Sequence, residues 1–256
     1  CIMKLENWRR SAEQGLPIWL SLLGRVDALN SLANHAFNNP GYCYPSIAAG
    51  EPVLEAVALG HPLLPGETRV CNDFSVNGKG RVFIITGANM AGKSTFLRTV
   101  AVNMILGMTG APVCARNMTL TPVKLFTSMR TVDSLSQNES YFYAELKRLK
   151  ILKEKLEAGE HMFFVLDEIL KGTNSTDKSL GSKQFLGKLV GLGGTGMIAT
   201  HDISLGEMQQ VYPGKVFNLC FEIGIDGENI SFDYLLREGI TRKMNAAFLM
   251  KQMGIV

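Results

Sequence analysis

The sequence predicts an α/β fold: a mainly parallel sheet flanked by helices, preceded by a helical arm and closed by a β-hairpin and a helix. Three observations carry that expectation. Short runs rich in β-branched and aromatic residues at 81–86, 161–166 and 196–199 are nearly continuous in hydrophobicity, as strands buried on both faces of a parallel sheet must be. Helical patterns separate these runs, the arrangement expected of crossover connections. The chain is also 256 residues long and 46% hydrophobic, enough to bury a sizeable core.

From the start of the chain, Leu22, Val26, Leu29, Ala33 and Ala36 recur at the helical spacing of three and four, and Pro17 suits a first turn. A helical arm is therefore expected over 1–50, with the second unit running over 51–256. Pro40, Pro45, Pro52, Pro62 and Pro65 mark a break between the two, placed softly at Gly50. The longest apolar stretch, 99–115, is interrupted by Asn103, Gly107, Gly110 and Pro112, so it reads as a buried helix and not as a bilayer span. Phe142, Leu146, Leu149, Leu152 and Leu156 predict a further helix. Residues 216–225 and 229–236 flank Asp226-Gly227, a favoured hairpin turn, and 244–253 predicts the closing helix.

Charge and cysteine usage narrow the function classes. With 26 Lys and Arg against 23 Asp and Glu, the net charge of +3 permits an anionic partner but supplies no dense basic face for autonomous nucleic-acid binding. The five cysteines, Cys1, Cys43, Cys71, Cys114 and Cys220, are odd in number, scattered, and lack the paired spacing of a zinc site or disulfide framework. A reducing, cytoplasmic location is expected, with no membrane segment. A chain opening on Cys1 instead of methionine is expected to be a piece of a longer protein.

Gly87-Ala88-Asn89-Met90-Ala91-Gly92-Lys93-Ser94 matches G-x-x-x-x-G-K-[ST], directly after one predicted strand and directly before a helix starting near Thr95. This is the P-loop pattern. Glycines let the backbone approach phosphate oxygens closely, and the following helix turns its positive end to the same charge. Lys93 is expected to reach the β and γ phosphates of ATP and Ser94 to ligate Mg²⁺.

The strand at 161–166 ends in Asp167-Glu168, the shape of a Walker B element at the carboxyl edge of the sheet. Asp167 is expected to hold Mg²⁺ or its water shell and Glu168 to polarise the attacking water. The strand at 196–199 leads to Thr200-His201, which puts an imidazole on the same edge, placed to donate to the γ phosphate or hold the water. Together these predict a P-loop ATPase that hydrolyses ATP, with Lys93, Glu168 and His201 in catalysis and Ser94 and Asp167 on the metal. A metabolite kinase fits less well, because paired acids and a terminal histidine suit hydrolysis better than transfer. A transporter subunit lacks its L-S-G-G-Q signature here.

Residues 86–95 also resemble the T-G-P-N-M-G-G-K-S-T loop of the MutS family of DNA mismatch-repair proteins, which belongs with the ABC-type ATPases. Asn89-Met90 is a pair most P-loops lack. Residues 167–175 resemble the family's D-E-I-G-R-G-T-S-T, Ala199-Thr200-His201 its A-T-H element, and Ser140-Tyr141-Phe142-Tyr143-Ala144-Glu145-Leu146 its S-T-F-M-x-E-M segment. Ala88, Ala91 and Leu170-Lys171 depart from the family pattern. The resemblance implies a homodimer with composite ATP sites, in which Ser140 reaches the γ phosphate held by the opposite subunit and Asp177 crosses the interface. From the residues alone, Ser140 serves equally well as a cap on its own helix. The resemblance further implies lever helices upstream, an apolar stacking residue for adenine at Val70, and DNA bound through regions mostly outside this chain. Two functions remain: ATP hydrolysis driving dimer switching in a mismatch-repair or DNA-structure-processing protein, or an ATP-gated dimerisation module with slow or no hydrolysis.

Overall fold

The computed structural model describes residues 2–13, 15–51, 53–129, 141–170, 174–226 and 229–242. Two helices open the chain, α1 (Ile2–Ala12) and α2 (Gly15–Asn38). α2 coincides with the expected helix, whereas α1 carried no clear periodic signal. No residue of α2 is buried. The end of α2 is tied to the body by His35, whose Nε2 lies 3.2 Å from the Pro112 carbonyl oxygen and whose ring packs edge-on against Tyr42.

The proline-rich stretch that reads as a break contains two strands, β1 (Ser46–Ile47) and β2 (Val53–Leu59). With β3 (Asn72–Asn77) and β5 (Asn117–Leu120) they form a four-stranded sheet in the order β1-β5-β2-β3. Along β2, Leu54 and Ala56 are buried while Glu55 and Val57 are exposed, the alternation of a strand packed on one face. β3 follows after a loop of 12 residues and β5 lies much further along the chain, so no tight-turn signal announces the pairing.

The main sheet comprises β4 (Val82–Gly87), β6 (Lys124–Ser128), β7 (Met162–Asp167), β8 (Thr195–Thr200), β9 (Val216–Asp226) and β10 (Asn229–Glu238). Among the described residues its order is β10-β9-β4-β8-β7-β6, parallel throughout except for β10, which runs antiparallel to β9 as the hairpin pattern predicts. All three predicted core strands are present. Every residue of β4 and β8 is buried, which explains their unbroken hydrophobicity. Crossover helices α3 (Lys93–Met108), α4 (Tyr141–Glu157) and α5 (Ser175–Gly191) cover the two faces, and a 3₁₀ turn (Ile203–Glu207) with the short α6 (Met208–Val211) leads into β9.

Alternate residues of the strands feed two cores. Phe83, Ile85, Val165 and Met197 pack with Leu97, Val100 and Met104 of α3 on one face; Ile84, Phe164, Leu166 and Ile198 pack with Leu152, Leu156, Leu186 and Leu189 on the other. Burial of each such side chain stabilises by roughly 1.5–3 kcal/mol. Phe164 and Gly196 are register partners, and a Cβ added at Gly196 would fall onto the Phe164 carbonyl oxygen and ring. Gly196→Ala is therefore expected to destabilise the protein by about 1–3 kcal/mol, read as a lower urea midpoint at unchanged m-value.

The apolar stretch at 99–115 is helical only in part: the helix stops at Met108, and the chain then turns, makes a single bridge at Val113 and bends over 114–116. Gly110 takes φ +86°, where a left-handed turn ends the helix, and Val113 then pairs with Cys43. Asn103 closes this bend. Its amide donates to the carbonyls of Gly60 and Thr99 at 3.0 and 2.8 Å, and its side-chain oxygen accepts from Cys114 N–H at 2.7 Å. Gly227 of the hairpin turn and the predicted helix at 244–253 lie outside the described residues.

Candidate functional site

In the sheet order β4-β8-β7, three adjacent parallel strands end at one edge. Register pairs Thr86 with Thr200 and Asp167 with Ala199, so the segments following these strands emerge side by side. They converge on a cavity of about 490 Å³ lined by Ala88, Asn89, Met90, Ala91, Gly92, Lys93, Ser94 and Thr95 of the loop, together with Asp167, Glu168 and His201. The structure thus brings together the predicted loop, acid and imidazole residues; Gly87 contributes through its carbonyl. Ser140 lies outside the described residues, and the helix that follows it begins at Tyr141.

The loop backbone folds as its glycines permit. Gly92 sits at φ +108° as the N-cap of α3, where a Cβ would also come within 3.2 Å of the Tyr234 ring. Met90 takes φ +64° without being glycine, and its side chain is exposed. Gly92 has no side chain with which to cap α3, so the positive end of the helix faces the cavity. Lys93, only 7% exposed, donates to the carbonyl oxygens of Gly87 and Ala88 at 2.7 and 2.9 Å. Burial pushes its amine down to about 8, against the opposing pull of the Asp167 and Glu168 carboxylates.

Glu168 begins a strained turn. It has φ +57° and Leu170 has φ +60°, both unusual for residues with side chains. The turn is held from two sides: Glu168 N–H donates to the Ala199 carbonyl at 2.9 Å, and Leu170 N–H donates to the Glu145 carboxylate at 2.8 Å. Glu145 belongs to α4 and is 3% exposed, so its carboxylate acts as a buried strut. The Glu168 side chain accepts from Lys178 Nζ of α5 at 2.7 Å. His201 is held below the usual histidine range, first by burial and then by the Lys93 charge, so its imidazole is neutral at neutral pH. Asp177 is exposed in the first turn of α5, where its N–H bonds the Asn174 side chain at 2.9 Å.

Val70 lines the outer part of the cavity with His61, Leu64, Thr68, Asn72 and Tyr234, none of the last five foreseen. Tyr234 sits at φ +55° in a break of the β9–β10 register between Phe232 and Leu236. Asn72 of β3 clamps that break, donating to the Tyr234 carbonyl at 3.0 Å and accepting from Leu236 N–H at 2.7 Å. The Tyr234 ring stacks on Phe232 with centroids 6.0 Å apart. No sequence signal marks this wall, because a contact between β3 and β10 creates it.

The donors suit an anion with a hard divalent cation. An ammonium and a helix N-terminus supply the positive field, while the Ser94 hydroxyl and Asp167 carboxylate are oxygen ligands of the kind Mg²⁺ selects. The volume lies within the range of roughly 300–1,000 Å³ usual for small-ligand sites, and Leu64, Val70 and Tyr234 give its lining apolar and aromatic surface suited to a flat base.

A mainly parallel sheet that turns through a glycine-bounded loop into a helix, with paired acids two strands away at the same edge, has the fold of a P-loop NTPase. The family model for MutS domain V matches residues 83–253, and the chain belongs to that family. Similar curated proteins include the "DNA mismatch repair protein MutS" of Persephonella marina, 33% identical over 239 residues, covering 91% of this chain and 27% of that protein. The protein of the same name from Thermotoga neapolitana is 30% identical over 229 residues, with 88% of this chain and 28% of that one covered. "DNA mismatch repair protein MSH3" of Phaeosphaeria nodorum is 30% identical over 249 residues, covering 93% and 22%. The chain therefore spans about a quarter of the length of these relatives. Among the described residues no helix is long and apolar enough to cross a membrane.

Proposed function

We propose that this chain binds and hydrolyses Mg·ATP, and that nucleotide occupancy switches the pairing of two copies within a MutS-like protein acting on mismatched or otherwise altered DNA. The observation that carries the reading is the convergence of Lys93, Ser94, Asp167, Glu168 and His201 on one cavity. In this reading residues 87–95 wrap the phosphates, Lys93 neutralises the β and γ charge, and Ser94 and Asp167 hold the metal. Bound Mg²⁺ supplies charge neutralisation at the phosphate oxygens. Glu168 takes the proton of the attacking water, and neutral His201 orients that water or donates to the γ phosphate. Val70 and Tyr234 flank the base.

The family resemblance supports a composite site completed by Ser140 of a second copy, with Asp177 at the interface, and a cytoplasmic location belongs to the same reading. DNA recognition is assigned to regions mostly outside this chain, and the arm over 1–50, distinct from the ATPase unit over 51–256, is read as the link towards them. The second reading, an ATP-gated dimerisation module with slow hydrolysis, is favoured by one observation: Glu168 is paired with Lys178.

The test combines phosphate release with sedimentation. Turnover is expected to need Mg²⁺ and to vanish with chelator, and ATP is expected to shift the protein towards a dimer. Metal-independent turnover or a nucleotide-indifferent sedimentation coefficient would defeat the assignment.

A further inference from the structure

Glu168 is the group assigned to water activation, yet its side chain is turned towards a partner that does not line the cavity. Lys178 Nζ lies 2.7 Å from Glu168 Oε1, with side-chain exposures of 20% and 25%. Lys178 stands in the first turn of α5 and is not among the residues that line the cavity, whereas Glu168 is. A pair this short and this sheltered is stronger than an open surface pair, whose contribution is about 0–1 kcal/mol.

The backbone around Glu168 leaves little other freedom. Its left-handed φ, its N–H bond to Ala199 and the Glu145 strut on Leu170 fix the direction in which the side chain leaves the turn. Side-chain torsions then decide whether the carboxylate faces α5 or the cavity, and the Lys178 ammonium, 2.7 Å away, holds one of its oxygens on the α5 side. The Glu168 carboxylate still borders the cavity, but the oxygen engaged by the ammonium is less basic and the group is tethered, so it is restrained from swinging onto an attacking water.

We propose that Lys178 is a positioning residue that restrains Glu168 and acts as a brake on hydrolysis. The inference rests on the reading of Glu168 as the hydrolytic carboxylate. Release requires only a change in the side-chain torsions of Glu168 or Lys178, which a small displacement of the first turn of α5 would bring about. That turn is accessible: Asn174, Thr176 and Asp177 are exposed, so a partner bearing on it has direct leverage on the pair. The same arrangement joins the two functional readings, since a module with Lys178 engaged binds ATP and hydrolyses it slowly.

The experiment measures steady-state ATP turnover of the whole chain as wild type, Lys178→Met, Lys178→Arg and Glu168→Gln. Lys178→Met is expected to raise kcat about five-fold, ~1 kcal/mol of barrier, with KM unchanged. Lys178→Arg keeps a cation in place and is expected to hold kcat at the wild-type value, an outcome that mere loosening of α5 would not produce. Equal thermal midpoints for the two variants exclude unfolding as the cause. A kcat for Lys178→Met at or below wild type overturns the brake. Glu168→Gln separates the two failures. Turnover that dies with Glu168→Gln but ignores Lys178→Met defeats the brake alone, whereas turnover indifferent to Glu168→Gln defeats the underlying assignment and the brake with it.

Discussion

Lys93→Ala is expected to weaken Mg·ATP binding about 100-fold, ~3 kcal/mol, while leaving the fold intact. The Lys93 ammonium is nearly enclosed and lies on the cavity wall with Asp167, so a phosphate oxygen there meets a charge that water screens poorly. Removing it takes away a charge-assisted hydrogen bond and leaves the loop amides to hold the phosphates without a cation. Stability responds in the opposite balance. The carbonyls of Gly87 and Ala88 lose a donor, which destabilises, but a costly buried ammonium also disappears, which stabilises. The net change in unfolding free energy is expected to stay near 1 kcal/mol, because these terms oppose each other. Isothermal titration paired with urea denaturation separates the two effects. Unchanged affinity at unchanged stability would remove Lys93 from the phosphate site and the assignment of the loop with it.

Glu168→Gln is expected to act on the other half of the cycle, lowering kcat by roughly 10²–10⁴ while ATP affinity holds. Glutamine has the same shape and can still accept from Lys178 through its amide oxygen, so the turn from Glu168 to Leu170 should persist under its backbone bonds to Ala199 and Glu145. What it lacks is a carboxylate able to take a proton. Bound ATP should then remain uncleaved, and the ATP-dependent dimer should survive for as long as nucleotide is present. Single-turnover phosphate release and sedimentation in ATP read these outcomes. A variant that turns over like wild type would transfer water activation elsewhere, with His201 the next group on the same edge.

Much of this site was legible before any fold was known, because its chemistry is written in contiguous segments. The loop at 87–94 requires glycine at Gly87 and Gly92, since each has positive φ and backbone or ring atoms where a Cβ would stand. Asp167-Glu168 and Thr200-His201 follow strands whose unbroken hydrophobicity marks them as central, and central parallel strands deliver their carboxyl ends to one edge. Most of the features that escaped depend on partners elsewhere in the fold. β2 gains its place partly from β5, more than 50 residues on, and Tyr234 from the clamp by Asn72, whereas the Lys178–Glu168 pair joins residues only ten apart across the end of β7 and the first turn of α5. Asn103 looked like an interruption of an apolar helix and is instead the strut on which the chain turns back.

Local pattern alone was enough to name the candidate site residues and the strands that carry them, since hydrophobic period and glycine spacing survive without knowledge of the partners. The tertiary structure alone decided how those groups are restrained: that Lys93 is enclosed, that Glu168 is drawn towards Lys178, and that an aromatic wall closes the outer cavity. The reason is physical. Burial and ion pairing depend on which residues from distant parts of the chain meet, and that follows from the packing of whole sheets and helices, which no short window of sequence contains.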